Sequence, residues 1–222
     1  MPLARQVVFD LDGVIADSEP LHERANDLYM ERAGAVLDED LRDEMMGRRV
    51  RDLTDALAAR LGQPPDQVFA EREAIFWELL EGEGVQPMPG LDKAVARLED
   101  AGLRLAVVSS GTSAYVEFVL RWLDVRPAFQ VVVSGEEVRR GKPDPEGYLL
   151  AASLLHADPA DCVALEDTFH GVAAARAAGM HAVAIPNPLT AGMDFSAADA
   201  VVADLEAAAG YVLAPSSSGM TS

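Results

Sequence analysis

The sequence predicts an α/β protein, a doubly wound parallel sheet interrupted near its start by a small helical insertion. Three observations carry that reading. From about residue 91 onward, short apolar runs alternate with helical patterns, the arrangement expected of parallel strands joined by right-handed crossovers. Between about residues 18 and 88 the pattern is helical throughout, with no period-two stretch. Polar residues also follow the apolar runs, where open α/β sheets place their ligands.

The first strand is Gln6-Val7-Val8-Phe9-Asp10-Leu11, stopped by Asp12-Gly13. Leu21, Ala25, Leu28 and Tyr29 then recur at helical spacing. A second stripe, Val50, Leu53, Leu57 and Leu61, ends at Gly62, a good C-terminal stop. Pro64-Pro65 opens a third helix through Phe69, Ile75, Phe76, Leu79 and Leu80. These helices predict a small helical bundle over residues 18–88, inserted into a Rossmann-like core made of residues 1–17 and 89–222.

After Pro87-Met88-Pro89-Gly90 comes an amphipathic helix, Leu91–Asp100, and a β-branched run, Leu103–Val108, ending in Ser109-Ser110-Gly111. Thr112 caps a helix through Val116, Val119, Leu120 and Leu123. Strand Phe129–Val133 and the loop Gly141-Lys142-Pro143-Asp144-Pro145 follow, then a helix to about Leu155. Strand Cys162–Leu165 ends in Glu166-Asp167, and an alanine-rich helix runs to Gly179. His181–Ile185 and a short Ala200–Val202 complete the strands, and Pro215–Gly219 reads as a disordered tail.

Composition limits the function. The chain has 222 residues, half of them hydrophobic and a quarter charged, which suits a folded globular protein. No apolar run approaches the roughly 18 residues of a membrane span. The start has no signal-peptide cleavage pattern, so a cytoplasmic protein is expected. The single Cys162 excludes an internal disulfide and a cysteine metal cluster. A net charge of −19 argues against nucleic acid and membrane surfaces as partners, and leaves oligomeric state open. The same field would repel phosphorylated metabolites unless a pocket concentrates positive charge or a metal. Lysine occurs only at Lys93 and Lys142, so each lysine deserves a reason.

The strand ends bring together Asp10 and Asp12, Ser109, Lys142, and Glu166 with Asp167. Carboxylates so close would not all ionise unaided. A hard divalent cation with oxygen ligands resolves that conflict, and Mg²⁺ typically combines a few carboxylates with phosphate oxygens and water. Ser109 offers a hydroxyl at the opening of a helix, a ready phosphate cradle that Ser110 extends. Lys142 supplies a compact point charge. Taken singly, such aspartates are often turn formers, the serines and Thr112 suit helix capping, and Lys142 suits a solvated loop. Their order along the chain is what favours chemistry.

Phe9-Asp10-Leu11-Asp12-Gly13-Val14-Ile15-Ala16-Asp17-Ser18 resembles the first motif of the haloacid dehalogenase superfamily. Ser109, Lys142 and Glu166-Asp167 follow in order as its second, third and fourth, so the resemblance spans nearly the whole chain. The helical insertion resembles the cap of the subgroup that contains β-phosphoglucomutase and many sugar-phosphate phosphatases. The resemblance implies Asp10 as nucleophile, forming an aspartyl-phosphate, and Asp12 as general acid/base. It further implies Mg²⁺ held by Asp10, the Asp12 carbonyl and Asp167, with Glu166 a direct or water-mediated ligand. Ser109, Ser110 and Lys142 would hold the phosphoryl group. The fourth motif reads Glu166-Asp167-Thr168-Phe169-His170-Gly171 rather than Gly-Asp with a later Asp, which keeps metal binding but leaves hydrolase against mutase open.

In the cap, His22 reads either as a half-exposed helix histidine or as a group facing the site. Arg48 and Arg49 read either as surface charges or as binders of the substrate's distal groups. His170 suits ordering of its turn, and Trp77, Trp122, Cys162 and the methionines suit packing. The leading expectation is a Mg²⁺-dependent hydrolase of a small phosphorylated metabolite, a sugar phosphate. The alternative is a phosphosugar mutase, which uses a cap lysine where this chain has Ala70-Glu71-Arg72-Glu73-Ala74 and no lysine. Dehalogenase chemistry does not need Asp12 or the acidic pair. A non-catalytic binding protein would not need all the motif residues that this chain keeps.

Overall fold

The computed structural model describes residues 4–34 and 50–214, and the chain divides into two compact units. One comprises the residues up to Asp17 and from Pro87 onward, the other Ser18–Gln86. The chain passes between them at β2 (Ala16–Asp17) and β3 (Gln86–Pro87), which form a two-stranded ribbon. Arg48, Arg49 and the tail from residue 215 lie outside the described residues.

The larger unit is built on β1 (Gln6–Phe9), β4 (Arg104–Val108), β5 (Phe129–Val133), β6 (Cys162–Glu166), β7 (His181–Ala184) and β8 (Ala200–Val201). They form one parallel sheet in the order β5-β4-β1-β6-β7-β8. All four residues of β1, all five of β6 and four of five in β4 are buried, as strands covered on both faces must be. The chain leaves β1 toward β4 and β5, then returns to the other side for β6. The order therefore reverses beside β1, and the crevice of such a sheet opens at the carboxyl ends of β1 and β6. Register sharpens this: Phe9 pairs with Val107 and Leu165, so the next residue, Asp10, comes level with Glu166.

One face of the sheet packs on α6 (Glu146–Leu154) and α7 (Phe169–Ala177), with Tyr148, Ala151, Val172 and Ala175 set against Val8, Ala106 and Ala164. Small residues on α7 allow close approach to the sheet. Helix α4 (Leu91–Asp100) buries Leu91, Ala94, Val95 and Leu98, and α5 (Ser113–Trp122) follows Ser109-Ser110-Gly111. Thr112 does cap α5, its hydroxyl accepting from the Tyr115 N–H at 3.3 Å. One element was not anticipated. A further helix, α8 (Leu205–Leu213), follows β8, capped by Asp204 and burying Leu205, Ala208, Ala209 and Val212. Trp122 packs by stacking on Phe118 while remaining half exposed.

The smaller unit contains α1 (Glu19–Arg32), α2 (Val50–Leu61) and α3 (Pro65–Glu83). Leu21, Ala25 and Tyr29 are buried as the stripe predicts. On α3 the buried positions are Val68, Arg72, Ile75, Phe76 and Leu80, so a charged residue takes a place in the helical interior. Arg72 is fully buried, and its guanidinium meets Asn26 Oδ1 at 2.9 Å, Glu73 Oε1 at 2.9 Å and His22 Nδ1 at 2.9 Å. A buried cation needs such partners, because desolvation otherwise outweighs any gain.

Candidate active site

Where the sheet order reverses, Asp10, Glu166 and Asp167 each place a carboxylate oxygen within 4.8 Å of the other two. The Asp10 N–H donates to the Leu165 carbonyl at 3.0 Å, which extends the strand pairing by one residue and fixes the Asp10 backbone against β6. Lys142 enters from the loop after β5. Its ammonium lies 2.7 Å from Asp10 Oδ1 and 2.6 Å from Glu166 Oε1. Tyr148 donates its hydroxyl to the same Glu166 oxygen, and Thr168 donates to the other at 3.4 Å. Glu166 is fully buried, so these donors balance a charge that would otherwise be untenable there.

Asp167 is held differently. Asn187 Nδ2 donates to its Oδ2 at 3.0 Å, while the buried Oδ1 meets no hydrogen-bond partner. A buried, unsatisfied carboxylate oxygen within a group of all-oxygen ligands fits a hard divalent cation. Electrostatics agree. Burial first, then the charge of Glu166, pushes the Asp10 carboxyl up to about 7 despite Lys142. Burial, then Asp10 and Glu166, pushes Asp167 up to about 9. Burial opposes the charge on Lys142, but Asp10 and Glu166 outweigh it and raise its pKa. Lys142 therefore does not offset the burial and mutual repulsion that hold Asp10 and Asp167 above the ordinary aspartate range.

Gly13 is part of the same arrangement. Its φ is +77°, and a Cβ there would lie 2.1 Å from Asp167 Oδ2. Gly102 has a similar φ of +75° with nothing within 4 Å, so it supplies a matched control. Gly102→Ala should cost about 1–2 kcal/mol of backbone strain, lowering Tm by roughly 2–8 °C, with kcat/KM intact. Gly13→Ala should show the same strain and also lose activity, because Asp167 is displaced. Thermal melts and initial rates on the pair check this, and equal activity in both variants would refute the close approach.

Ser109 follows β4, its N–H donating to the Val133 carbonyl at 2.9 Å and its Oγ accepting from the Gly111 N–H at 3.0 Å. Ser110 is exposed at this turn. Asp12 sits in the turn after β1, and the Tyr115 hydroxyl donates to its Oδ1 at 2.5 Å. The structure thus brings Asp10, Glu166, Asp167 and Lys142 into direct contact or close reach, and sets Ser109 and Asp12 at neighbouring ends of the same sheet. His22 lies in the helical unit, stacked on Phe76 at 4.3 Å between ring centroids. Burial, then the charge of Arg72, lowers its pKa well below the usual value. Its Nδ1 accepts from Arg72, so the ring is neutral with its proton on Nε2.

Three contributors were not singled out in the sequence, Tyr115, Tyr148 and Asn187, and neither was the buried Arg72 of the helical unit. Tyr148 had a legible trace, since it lies one turn into the helix that follows Lys142. Asn187 had none, because nothing in a loop asparagine announces a carboxylate 20 residues earlier.

The family model of haloacid dehalogenase-like hydrolases matches residues 4–179. The chain belongs to that family. It is an enzyme, a hydrolase, and its doubly wound sheet is the family's fold. The chain is 34% identical to Protein CbbY of Rhodobacter capsulatus over 92% of its own length and 95% of the relative's. It is 35% identical to hexitol phosphatase B of Escherichia coli, covering 85% and 87% respectively. Among solved structures, CbbY from Rhodobacter sphaeroides in complex with xylulose-(1,5)bisphosphate superposes with a TM-score of 0.81 at 27% identity, covering 91% of this chain and 95% of that one. None of the helices among the described residues of this family member is long and apolar enough to cross a membrane.

Proposed function

We propose that this hydrolase is a Mg²⁺-dependent phosphatase of a small phosphorylated metabolite, a sugar phosphate, working through an aspartyl-phosphate on Asp10. The observation that carries the reading is the Asp10 carboxylate at the sheet's reversal point, with Lys142 at 2.7 Å and the unsatisfied Asp167 oxygen close by. Hexitol phosphatase B and the xylulose-(1,5)bisphosphate complex of a CbbY support phosphorylated carbohydrates as the class.

An Asp10 oxygen would attack phosphorus as the bond to the leaving oxygen breaks, and Asp12 would give that oxygen its proton. Water then attacks the aspartyl-phosphate, Asp12 takes the water's proton, and Asp10 is restored with release of phosphate. Lys142 and Ser109 would hold the phosphoryl oxygens, whose charge is stabilised by positioned donors. Asp10, the Asp12 carbonyl and Asp167, with Glu166 beside them, would hold Mg²⁺, which offsets negative charge between nucleophile and phosphate. Glu166 also anchors Lys142, since its Oε1 already receives that ammonium.

A mutase is disfavoured by the segment Ala70–Ala74, where no lysine occurs. Phosphate release from a panel of phosphorylated metabolites tests the reading, with glucose 1,6-bisphosphate added separately to reveal mutase turnover. No release from any member, with Mg²⁺ present, would overturn it.

We propose that the inserted helical domain governs substrate choice, with Arg48, Arg49 and His22 as the residues that would recognise the distal groups. Replacing both arginines with alanine should raise KM for the preferred substrate about tenfold, as expected for loss of a charge-assisted contact. A small generic ester should be hydrolysed almost as before, since only binding energy from remote groups is removed. Equal losses on both would assign the arginines to folding.

A further inference from the structure

We propose that Tyr115 is a positioning residue for the acid/base carboxyl: its hydroxyl holds Asp12 Oδ1 and so fixes the orientation from which the carboxyl serves the leaving group. The inference rests on the reading of Asp12 as proton donor and adds to it a residue from a different part of the fold.

The contact itself is direct. Tyr115 donates to Asp12 Oδ1 at 2.5 Å across 103 residues of sequence, from a side chain that is almost wholly buried. The seat of the ring is built into the turn beneath it. A Cβ on Gly111 would lie 2.6 Å from Tyr115 Cδ1 and 3.2 Å from Cε1, so only glycine lets the ring lie across this turn. The other end is fixed as well, because the Tyr115 N–H donates to the Thr112 cap of α5. The same turn carries Ser109, whose Oγ accepts from the Gly111 N–H. One short segment thus holds both the serine of the phosphate site and the tyrosine that reaches the acid.

Such a contact suits Asp12 as an acid/base carboxyl. Its backbone is held in the turn after β1 by a bridge to Ala16, but a carboxyl on a rotatable side chain can present either oxygen. A hydroxyl donating to Oδ1 makes that oxygen an acceptor and leaves the acidic proton on Oδ2. As the phosphorus–oxygen bond of the substrate breaks, that proton passes to the leaving oxygen and Asp12 becomes a carboxylate. The phenol keeps its own proton and stabilises the new charge with an existing hydrogen bond, so no group must reorient at that moment. Asn187 does the same for Asp167, tying Oδ2 and leaving Oδ1. In each case a neutral donor from elsewhere in the chain fixes one carboxylate oxygen.

The test compares leaving groups. An alkyl phosphate from the substrate panel expels a strongly basic oxygen and needs the proton, whereas p-nitrophenyl phosphate expels a stable phenolate and needs it little. Tyr115→Phe keeps the ring in its seat and removes only the hydroxyl. The ratio of kcat/KM for the alkyl ester to that for the aryl ester should fall about tenfold or more, as expected when a hydrogen bond to a developing charge is lost. In an Asp12→Asn background the same change should alter the ratio by less than about twofold, since the partner is already gone. If Tyr115→Phe proves unstable, Tyr115→Leu must show the same split in addition to its loss of stability. Equal losses on the two esters, or an unchanged ratio, would overturn the inference. An Asp12→Asn variant that fails to discriminate between the esters would instead overturn the acid/base reading beneath it.

Discussion

Asp10→Asn is expected to lower phosphate release by roughly four powers of ten or more while leaving the fold intact, the scale of removing a catalytic nucleophile. The amide keeps the shape of the side chain, and the backbone hydrogen bond to Leu165 does not involve it. What is lost is the attacking oxygen and a negative charge. That charge is unfavourable where it stands, since burial and Glu166 raise the Asp10 carboxyl from 3.8 to about 7. A folded-state pKa above the unfolded one means that ionisation destabilises the fold progressively as pH rises from about 4 to about 7. At pH 8 the full penalty applies to wild type and none to the variant. Loss of the Lys142 contact works the other way, but Glu166 still holds that ammonium at 2.6 Å. The variant's Tm at pH 8 should therefore equal or exceed that of wild type, as expected where a site is kept at the expense of stability. A purified variant with a tenth of wild-type activity would exclude Asp10 as nucleophile.

Much of this site was legible because parallel sheets collect strand ends. Once the runs around Val7, Leu105 and Val163 read as strands, their following residues had to share one edge, and Asp10, Ser109 and Glu166 were already named there. Local chemistry was legible too: Thr112 before an apolar helix, and Gly62 after one. What escaped was long-range pairing between unlike groups. Tyr115 reads as one more apolar position on α5, and only the fold brings its hydroxyl to Asp12. Arg72 escaped for the opposite reason. Charge in a helical pattern reads as a solvated face, yet here Asn26, His22 and Glu73 pair it inside the helical unit. Helix α8 was missed although Asp204 caps it, because its small apolar residues follow a two-residue strand and give a weak period.

Chelation of divalent cations should abolish activity, and Mg²⁺ should stabilise the protein more strongly at pH 8 than at pH 6. Both follow from three crowded carboxylates served by one lysine. In the cation-free protein Asp10 and Asp167 have pKa values near 7 and 9, against 3.8 for a free aspartate. Between about pH 4 and pH 9 the folded state therefore binds more protons than the unfolded one, and stability falls as pH rises through that window. The cation competes with those protons, so its binding releases them and tightens with pH. Melting curves with EDTA and with saturating Mg²⁺ should diverge as pH increases, and binding measured calorimetrically in two buffers of different ionisation enthalpy should report proton release. Ca²⁺ should also stabilise the fold yet inhibit turnover. It prefers longer bonds and more ligands than Mg²⁺, so it can engage both oxygens of Asp10 and leave none for attack. A Mg²⁺-induced shift in Tm that is the same at both pH values would place the cation away from Asp10 and Asp167. Full activity after exhaustive metal removal would show that Lys142 alone can keep the nucleophile ionised.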